Sequence, residues 1–440
     1  MARKVFISFL GTNIYVECIY NIDGRLSKPV RFVQEALIND ICTDWTDDDR
    51  IYIFCTKEAA DKNWENDGHA KGTIGLKESL MFKKDILEKV DIDEGFSEEE
   101  IWNIFTSVFN KLQPEDEIYF DITHAFRSIP MLTTVLFNYS RVMKNTNLVS
   151  IKYGAFEKLG PAYKVREMPL EKRIAPVLEL KNIADLQLYT EAASNLEKFG
   201  RVESLSIAIK KPNKKSPPLT MFANASVELV KNISTNRIEK IKSGKSIKNI
   251  NDSLKPIRRE RIPQPVRLII DKLLSYTKDF VGEDSFKNVE AAIKWVIRYE
   301  MFPQAYTMLQ EYLITRVGRV LSSSISLDSF ADKDDQSGEK NFRMFVSALL
   351  SISDDDISCD NYKNVLKSHE DLAKQLLENN ELVKNIRPNY IELGKTRNEI
   401  NHAKKTDRKY ETLKSDLETI YMQTIEKHFV SCPEASATNH

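Results

Sequence analysis

The stretch Glu117-Ile-Tyr-Phe-Asp-Ile-Thr-His-Ala-Phe-Arg-Ser128 decides the fold of the first part of this chain. Its first six residues have the apolar and aromatic composition of a buried strand. Residues 130–144, which follow the polar turn, have the apolar spacing of a helix. A strand that leads through a turn into a helix is the repeating unit of a parallel α/β sheet. The stretch therefore predicts such a sheet, with the polar turn at its carboxyl edge.

Three further segments, 4–10, 51–55 and 148–155, are short runs rich in Ile, Val, Phe and Tyr and are also predicted to be strands. Between them, Ser97-Glu-Glu-Glu100 has the pattern of a helix-capping box, ahead of the amphipathic segment 101–112. Strands alternating with helices at this spacing predict a mostly parallel, Rossmann-like domain over residues 1–175.

The pattern changes after Pro176. Residues 176–262 alternate helical pieces with basic and polar breaks, which predicts a helical and basic linker region. From residue 263 to 440 apolar residues recur at a spacing of three and four, which is typical of an all-helical domain. The predicted fold class is therefore α/β plus all-α. Helices are expected near residues 264–280, 286–299, 303–322, 340–352, 361–379, 381–402 and 407–429.

The composition is that of a globular protein: 42% of the 440 residues are hydrophobic and 29% are charged. Five scattered cysteines, with no C-x-x-C pair, indicate neither a disulfide framework nor a zinc site. The start of the chain lacks the pattern of a signal peptide, and no apolar run approaches the length of a membrane span. A reducing cytoplasm and no association with membranes are the expectations.

The net charge of −1 conceals an uneven distribution of charge. Residues 201–262 contain 15 Lys and Arg against 5 Asp and Glu, a local balance of +10. Such an excess favours a partner that carries phosphates. A solvated basic loop, balanced by acidic surface elsewhere, is the alternative interpretation.

Two segments lie where a doubly wound sheet binds its ligands, beyond the carboxyl ends of strands. One follows the first strand and the other spans the turn after residue 122. Backbone amides at a helix start, two hydroxyls and an arginine there predict a phosphate site, and a histidine and a phenylalanine can contact bases. The candidate nucleotide-binding residues are Gly11, Thr12, Asn13, Thr123, His124, Ala125, Phe126, Arg127 and Ser128.

These residues also have structural interpretations. Asp121 can brace the turn, Thr12 and Ser128 can cap helices, and Phe126 can belong to the core. The segment after the first strand lacks the G-x-G-x-x-G pattern, which argues against NAD. Asp121 and His124 have no third ligand beside them, so no metal is expected.

A second constellation, Arg397-Asn-Glu-Ile-Asn-His402, lies in a predicted helix. Asn398 and His402 are four residues apart and share one face, with Arg397 beside them. A guanidinium can bind a phosphate, and an imidazole can move a proton near neutral pH. Because RNA supplies its own nucleophile in the 2′-hydroxyl, such a pair can cleave RNA without a metal. The spacing alone is common in helices.

The tract at 121–128 closely resembles the D-x-T-H-G-F-R-S signature of the CRISPR-associated DxTHG family, whose N-terminal Rossmann-like domain is called CARF. The opening Phe6-Ile-Ser-Phe-Leu-Gly-Thr-Asn13, the tract Tyr20-Asn-Ile-Asp-Gly24 and Val30-Arg-Phe-Val-Gln-Glu-Ala36 also resemble that family. Ala125 replaces the usual glycine, and its methyl group is expected to narrow the space for a ligand or to restrict the turn, since only glycine visits positive φ freely.

The resemblance implies that the N-terminal domain binds a cyclic oligoadenylate, the second messenger of type III CRISPR antiviral systems, across a homodimer. Cyclic tetra-adenylate is favoured because a four-fold ring has matching halves for two identical protomers, and cyclic hexa-adenylate also satisfies that symmetry. Degradation of the messenger by this domain stays open, because the residues present no unambiguous base.

The motif at 397–402 resembles the R-x-x-x-x-H motif of HEPN ribonucleases, including the frequent Asn after Arg. The resemblance implies an allosterically activated, metal-independent endoribonuclease that cleaves single-stranded RNA and needs no cofactor. Arg397 stabilises charge at the phosphorus, His402 is the general acid or base, and Asn398 orients the imidazole or the phosphate. The alternative is an inactive sensor or adaptor whose helical domain only dimerises or binds a partner.

Overall fold

The chain divides into two units, Met1–Gln187 and Leu188–His440. They are taken from a computed structural model, which describes residues 2–124, 129–210, 216–402 and 409–430. The first unit is a mixed α/β structure and the second is helical. The predicted fold class, α/β plus all-α, is confirmed.

One sheet of eight strands organises the first unit, in the order β3-β2-β8-β7-β6-β1-β4-β5. Among the described strands, all neighbouring pairs are parallel except β2 with β3 and β7 with β8. The prediction of a mostly parallel sheet is confirmed. The strands are β1 (Lys4–Phe9), β2 (Ile19–Ile22), β3 (Arg25–Leu26), β4 (Arg50–Cys55), β5 (Leu87–Asp91), β6 (Glu117–Asp121), β7 (Asn147–Gly154) and β8 (Ile174–Glu179).

Both faces of the sheet are buried, which explains the nearly continuous apolar runs of β1 and β4. Phe6 packs on one face with residues of the helix Val33–Ile41, whereas Val5 and Ile7 pack on the other with residues of Glu98–Lys111 and Ile129–Lys144. Successive side chains of a strand point to opposite faces. The sheet is therefore covered by helices on both sides.

The four predicted strands correspond to β1, β4, β6 and β7. The sequence analysis missed the other four for different reasons. β3 has two residues and β2 four, β5 is half exposed and charged, and β8 contains Pro176. Proline is rare inside a sheet because it lacks a backbone N–H, yet β8 lies between β2 and β7. The predicted domain end at residue 175 falls inside this strand.

The first unit contains helices of very different lengths. The prediction that Ser97 caps a helix is confirmed, because its hydroxyl accepts a hydrogen bond from the backbone N–H of Glu100 at 3.1 Å. The carboxylate of Glu100 accepts from the N–H of Phe96 at 2.8 Å, rather than from that of Ser97 as in a standard capping box. The helical segments are Val33–Ile41, Lys57–Ala59, Ala60–Trp64, Leu76–Ser79, Met81–Lys83, Glu98–Lys111, Ile129–Lys144, Phe156–Leu159, Ala162–Glu167, Leu170–Lys172 and Lys181–Phe199, which crosses into the second unit.

The helices of the second unit share one hydrophobic core, with members from Tyr189 to Phe429. Residues 188–262, assigned from the sequence to a linker region, contribute to it through side chains such as Phe222 and Ile250. The helical segments are Glu203–Lys210, Pro217–Ser234, Ile238–Lys242, Lys245–Arg259, Gln264–Thr277, Phe286–Arg298, Phe302–Leu321, Leu327–Phe330, Glu339–Ser351, Asp354–Ser358, Val365–Ser368, Glu370–Asn379, Glu381–Asn401, Tyr410–Tyr421 and Met422–Val430.

The predicted single helix at 361–379 is wrong. Asn364 has a φ of 52°, outside the right-handed helical region, and His369 separates Val365–Ser368 from Glu370–Asn379. Its ψ of −131° places Asn364 outside the left-handed helical region as well, so a regular helix does not run through this residue. Across the described part of the chain, every helix is too short or too polar to span a bilayer.

Candidate functional site

The loops that follow β1 and β6 come together because these two strands are parallel neighbours, with Ser8 paired to Asp121. Carboxyl ends of parallel strands share one edge of the sheet. The segments Gly11–Asn13 and Thr123–His124, each predicted to lie beyond the carboxyl end of a strand, therefore meet. Ala125, Phe126, Arg127 and Ser128, also predicted to bind the ligand, lie outside the described residues.

Asp121 braces this edge from a fully buried position. Its carboxylate accepts hydrogen bonds from the Ser8 hydroxyl at 2.7 Å, the Thr123 N–H at 3.0 Å and the Thr123 hydroxyl at 2.5 Å. Burial raises the pKa of Asp121, and these hydrogen bonds oppose the shift. The structure thus favours the bracing role that the sequence analysis left open for Asp121.

Thr123 joins the turn to the next strand. Its hydroxyl donates to Asp121 and accepts from the N–H of Gly154 at 2.9 Å, at the end of β7. Both hydrogen bonds lie within the protein, so this side chain positions the turn. A Cβ on Gly154 would approach Val33 to within 2.5 Å, and the close packing of strand and helix there requires glycine.

His124 packs against Tyr15. The two rings meet edge to face with their centroids 4.6 Å apart and an interplanar angle of 83°. Burial lowers the pKa of His124 to about 4, so the imidazole is neutral at physiological pH. Its Nε2 atom is buried and has no hydrogen-bond partner among the residues that the structure describes.

The loop after β1 is held from two sides. The N–H of Gly11 donates to the Tyr15 hydroxyl at 2.9 Å. The side-chain amide of Asn63, in the π-helical turn Ala60–Trp64, donates to the carbonyls of Gly11 at 2.9 Å and Asn13 at 3.0 Å. A Cβ on Gly11 would lie 2.9 Å from the Tyr15 hydroxyl and 3.3 Å from Cβ of His124, so glycine allows this close approach.

A cavity of about 610 Å³ opens beside His124, within the size range of small-molecule sites. We call it the N-terminal pocket. Of the predicted ligand residues in the described part of the chain, Asn13 and His124 line it, whereas Gly11, Thr12 and Thr123 do not. Its lining consists of Asn13, Ile14, Tyr15, Val16, Tyr20, Arg31, His124, Phe156, Glu157, Gly160, Ala162, Tyr163 and Arg166.

The sequence analysis missed the two cations of this pocket, Arg31 and Arg166. Arg31 donates to the carbonyl of Ile74 at 2.9 Å and lies over the ring of Phe32, and burial lowers its pKa. It belongs to the tract Val30–Ala36 that resembles the DxTHG family, so a signal for it was present. Arg166 lies with Tyr163 on the short helix Ala162–Glu167, which contains no recognisable sequence motif.

The second candidate site lies at the end of the helix Glu381–Asn401. Asn380 caps its start by accepting from the N–H of Val383 at 3.0 Å. A buried stripe of Val383, Ile386, Tyr390 and Leu393 holds the helix in the core of the second unit. Arg397 follows Leu393 by four residues and therefore continues this stripe to the protein surface.

Arg397 is half buried and oriented by its neighbour. Its Nε atom is buried without a hydrogen-bond partner in the described part of the chain, and its Nη1 donates to Oδ1 of Asn398 at 3.2 Å. Asn398 thus contacts the guanidinium, and its predicted role in orienting the imidazole or the phosphate stays a prediction. A planar, partly anchored guanidinium is suited to binding a phosphate.

His402 is exposed and directly follows the last helical residue. Its backbone N–H donates to the carbonyl of Asn398 at 3.1 Å, which continues the helical pattern by one residue. The amide of Asn401 approaches the hydroxyl of Thr307 at 3.5 Å. The predicted helical context of Arg397, Asn398 and His402 is therefore present. Lys404, Lys405 and Arg408, which follow the motif, lie outside the described residues.

The described ranges contain no cluster of three or more His, Cys, Asp or Glu side chains arranged to hold a metal ion. Both candidate sites instead combine cations with a histidine: Arg31 and Arg166 with His124 in the first unit, and Arg397 with His402 in the second. Arginine side chains of this kind can bind phosphates, and a histidine can hydrogen-bond to a ligand or, where its pKa is near neutral, transfer a proton.

Comparison with known proteins identifies one curated relative. CRISPR-associated protein MJ1674 of Methanocaldococcus jannaschii is 25% identical over 233 residues, which cover 51% of this chain and 33% of that protein. This chain thus matches about a third of the length of that relative. No family model matches the chain.

Among solved structures, Enterococcus italicus Csm6 bound to cyclic hexa-2′-fluoro-hexa-dAMP aligns with a TM-score of 0.45 at 12% identity, covering 97% of this chain and 95% of that chain. A likeness at this score carries no argument about ligand or activity. The chain is therefore similar to a CRISPR-associated protein of an archaeon, and its tract at 121–128 resembles the signature of the CRISPR-associated DxTHG family.

Proposed function

We propose that the protein is a metal-independent endoribonuclease of CRISPR antiviral defence, switched on by a cyclic oligoadenylate. The observation that carries the proposal is the arrangement at the end of the helix Glu381–Asn401. There Arg397 is half buried and oriented by Asn398, while His402 is exposed to solvent. An oriented cation beside an accessible imidazole provides the two functions that RNA cleavage requires.

The N-terminal pocket is the proposed messenger site. Tyr15 and Tyr163 offer aromatic surfaces for adenine, and Arg31 and Arg166 offer positive charge for phosphates. His124 is neutral and has an unpaired, buried Nε2, so it can accept a hydrogen bond from the adenine amino group. Cyclic tetra-adenylate remains the favoured ring and cyclic hexa-adenylate the alternative, each bound across a homodimer.

RNA cleavage follows from the side chains of the second site. The 2′-hydroxyl attacks the adjacent phosphorus in line, and the 5′-oxygen of the next nucleotide leaves. Arg397 stabilises the negative charge that develops on the phosphate oxygens. One imidazole removes the proton from the 2′-hydroxyl and another protonates the leaving oxygen, giving a 2′,3′-cyclic phosphate and a 5′-hydroxyl.

One chain supplies a single His402, whereas the reaction has an acid and a base. We therefore propose that a second copy of the motif completes the site and that the active form is at least a dimer. Binding of the messenger to the N-terminal domains then favours the arrangement in which the two motifs cooperate, as in a two-state switch.

The decisive experiment adds cyclic tri-, tetra- or hexa-adenylate separately to the purified protein with end-labelled single-stranded RNA in EDTA. We expect cyclic tetra-adenylate to start cleavage and His402→Ala to abolish it. Silence with all three rings would overturn the activated-ribonuclease proposal. Messenger binding without cleavage would favour the sensor or adaptor function instead.

A further inference from the structure

Among the residues of the second unit that the structure describes, several exposed cations lie on the helix Lys245–Arg259, far in sequence from Arg397. Ile247, Ile250 and Ile257 hold one side of this helix in the core. The opposite side carries four exposed cations, which we call the basic stripe: Lys245, Lys248, Lys255 and Arg259.

The spacing of the basic stripe follows the helical repeat. Lys248, Lys255 and Arg259 are separated by seven and four residues, so they project from nearly the same side of the helix. From Lys245 to Arg259 the helix rises about 21 Å at 1.5 Å per residue. Asp252, the one acidic residue on this helix, lies within the stripe, four residues after Lys248 and three before Lys255. The result is a linear array in which cations outnumber the single carboxylate.

These cations are not used to stabilise the fold through ion pairs. Within the ranges that the structure describes, none of the four pairs with an acidic side chain. Nearby Lys242, by contrast, pairs with Asp284 at 3.1 Å. The four cations outnumber the one carboxylate on this side of the helix, so their net charge is positive, and a polyanion that binds along the helix reduces the repulsion among them.

A groove of about 530 Å³ runs beside the stripe, between this helix and the helix Pro217–Ser234 on which it packs. We call it the amide groove. Asn249 follows Lys245 by four residues, so the groove begins next to the stripe. It is lined by Pro217, Thr220, Met221, Asn224, Ala225, Glu228 and Asn249.

The lining of the amide groove suits an unpaired base better than a phosphate. Asparagine amides can hydrogen-bond to base edges, and the half-exposed thioether of Met221 offers an apolar surface. Glu228 repels phosphates from the groove itself. A duplex keeps its base edges paired, whereas a single strand can turn a base into a cavity of this kind.

We infer that the basic stripe and the amide groove together form a binding surface for single-stranded RNA, with phosphates along Lys245, Lys248, Lys255 and Arg259 and bases toward Asn249. The choice of RNA rests on the proposed ribonuclease function. The surface holds the substrate by contacts that do not involve the cleavage motif.

The test measures binding apart from cleavage. Full-length protein carrying His402→Ala is titrated against a fluorescent single-stranded RNA by anisotropy between about 50 and 200 mM salt, the range in which phosphate contacts dominate affinity. The stripe variant Lys248→Gln/Lys255→Gln/Arg259→Gln is compared with Lys333→Gln/Lys340→Gln/Lys367→Gln, whose three lysines are exposed residues of the same unit. Both triples remove three positive charges.

The stripe triple should bind RNA about tenfold more weakly than the parent protein. The slope of log affinity against log salt concentration should also become shallower by about 2, because each of the three lost phosphate contacts contributes about 0.7. The control triple should leave the slope unchanged. Asn249→Ala should weaken binding without changing the slope, since an amide releases no counterion. Equal slopes for the two triples would overturn the inference.

Two further arms keep the result interpretable. If the stripe triple unfolds, as judged by circular dichroism, Lys255→Gln alone should still reduce the slope by about 0.7. Duplex DNA that binds as tightly as the RNA, with the same loss in the stripe triple, would overturn the assignment to a single strand. Loss of cleavage in the His402→Ala protein tests the proposed ribonuclease activity. The dependence of RNA affinity on salt concentration tests whether the basic stripe binds RNA.

Discussion

The imidazole of His124 packs edge to face against the phenol ring of Tyr15, with the ring centroids 4.6 Å apart. Tyr15 in turn accepts a hydrogen bond from the N–H of Gly11. The loop after β1 and the turn after β6 are therefore linked through one aromatic side chain. This linkage holds His124, whose buried Nε2 has no partner among the described residues, in the lining of the N-terminal pocket.

Tyr15→Ala should weaken binding of the cyclic oligoadenylate by tenfold or more, because it removes an adenine-stacking surface and the support of the His124 ring, together about 1–3 kcal/mol. Tyr15→Phe keeps the ring and loses only the Gly11 hydrogen bond, worth about 1 kcal/mol. Calorimetric titration of both variants with cyclic tetra-adenylate measures the difference. Equal losses in the two variants would contradict a packing role for Tyr15.

His124 should make the first unit less stable in mild acid. Its pKa is about 4 in the folded protein against 6.5 for the exposed group, so the unfolded chain binds the proton first as the pH falls. The stability that neutral His124 contributes is present above pH 6.5 and is lost progressively toward pH 4. Between pH 7.5 and 5 the loss is about 2 kcal/mol.

Urea unfolding of the wild type and of His124→Gln at both pH values isolates this effect. Asp121, whose pKa is raised by burial, and other titrating groups contribute equally to both proteins and cancel in the comparison. The variant should lose about 2 kcal/mol less than the wild type. The same pH dependence in both proteins would show that His124 is not buried as described.

Asp121→Ala should destabilise the first unit by about 2–4 kcal/mol, because it leaves the donors of Ser8 and Thr123 without their acceptor. Ser8→Ala removes one of these hydrogen bonds and should cost about 1 kcal/mol. Thermal unfolding measures both. A destabilisation by Asp121→Ala no larger than that of Ser8→Ala would argue against Asp121 as the brace of the turn.

Arg397→Ala should reduce messenger-stimulated RNA cleavage by about 10²–10³-fold in kcat, the usual effect of removing one group that stabilises transition-state charge. Arg397→Lys should recover only part of this, since an ammonium lacks the planar fork that Asn398 orients. Single-turnover cleavage measures the chemical step directly. Lys395→Ala, at an exposed position of the same helix, is the matched control and should retain full activity.

Mixing experiments test whether two chains build one cleavage site. When wild type is mixed with an equal amount of Arg397→Ala/His402→Ala protein and the subunits are allowed to exchange, about a quarter of the dimers are wild type on both sides. Activity should fall to about that fraction if both motifs are needed. Retention of half the activity would show that each chain cleaves independently.

The sequence predicted the strands whose side chains are buried on both faces, because their apolar runs are nearly continuous. β1 and β4 are of this kind along nearly their whole length, and β6 and β7 are so in part. β5 was missed because it lies at the edge of the sheet and is half exposed, so its residues are largely charged. β8 was missed because it contains Pro176, which is unusual inside a strand. The break at Asn364 was missed because the apolar spacing continues across it.

By itself, the sequence determined the fold class, the position of the loops after β1 and β6 at the carboxyl ends of their strands, and the helical setting of Arg397 and His402. These follow from local periodicity and from the rule that parallel strands present their carboxyl ends at one edge. Only the tertiary structure decided that Arg31, Tyr163 and Arg166 line the same pocket as His124 and that Asn398 orients Arg397. The physical reason is that strand pairing and helix packing bring together side chains from segments that are distant in sequence or have no regular pattern. Such contacts cannot be predicted from the spacing of residues along the chain.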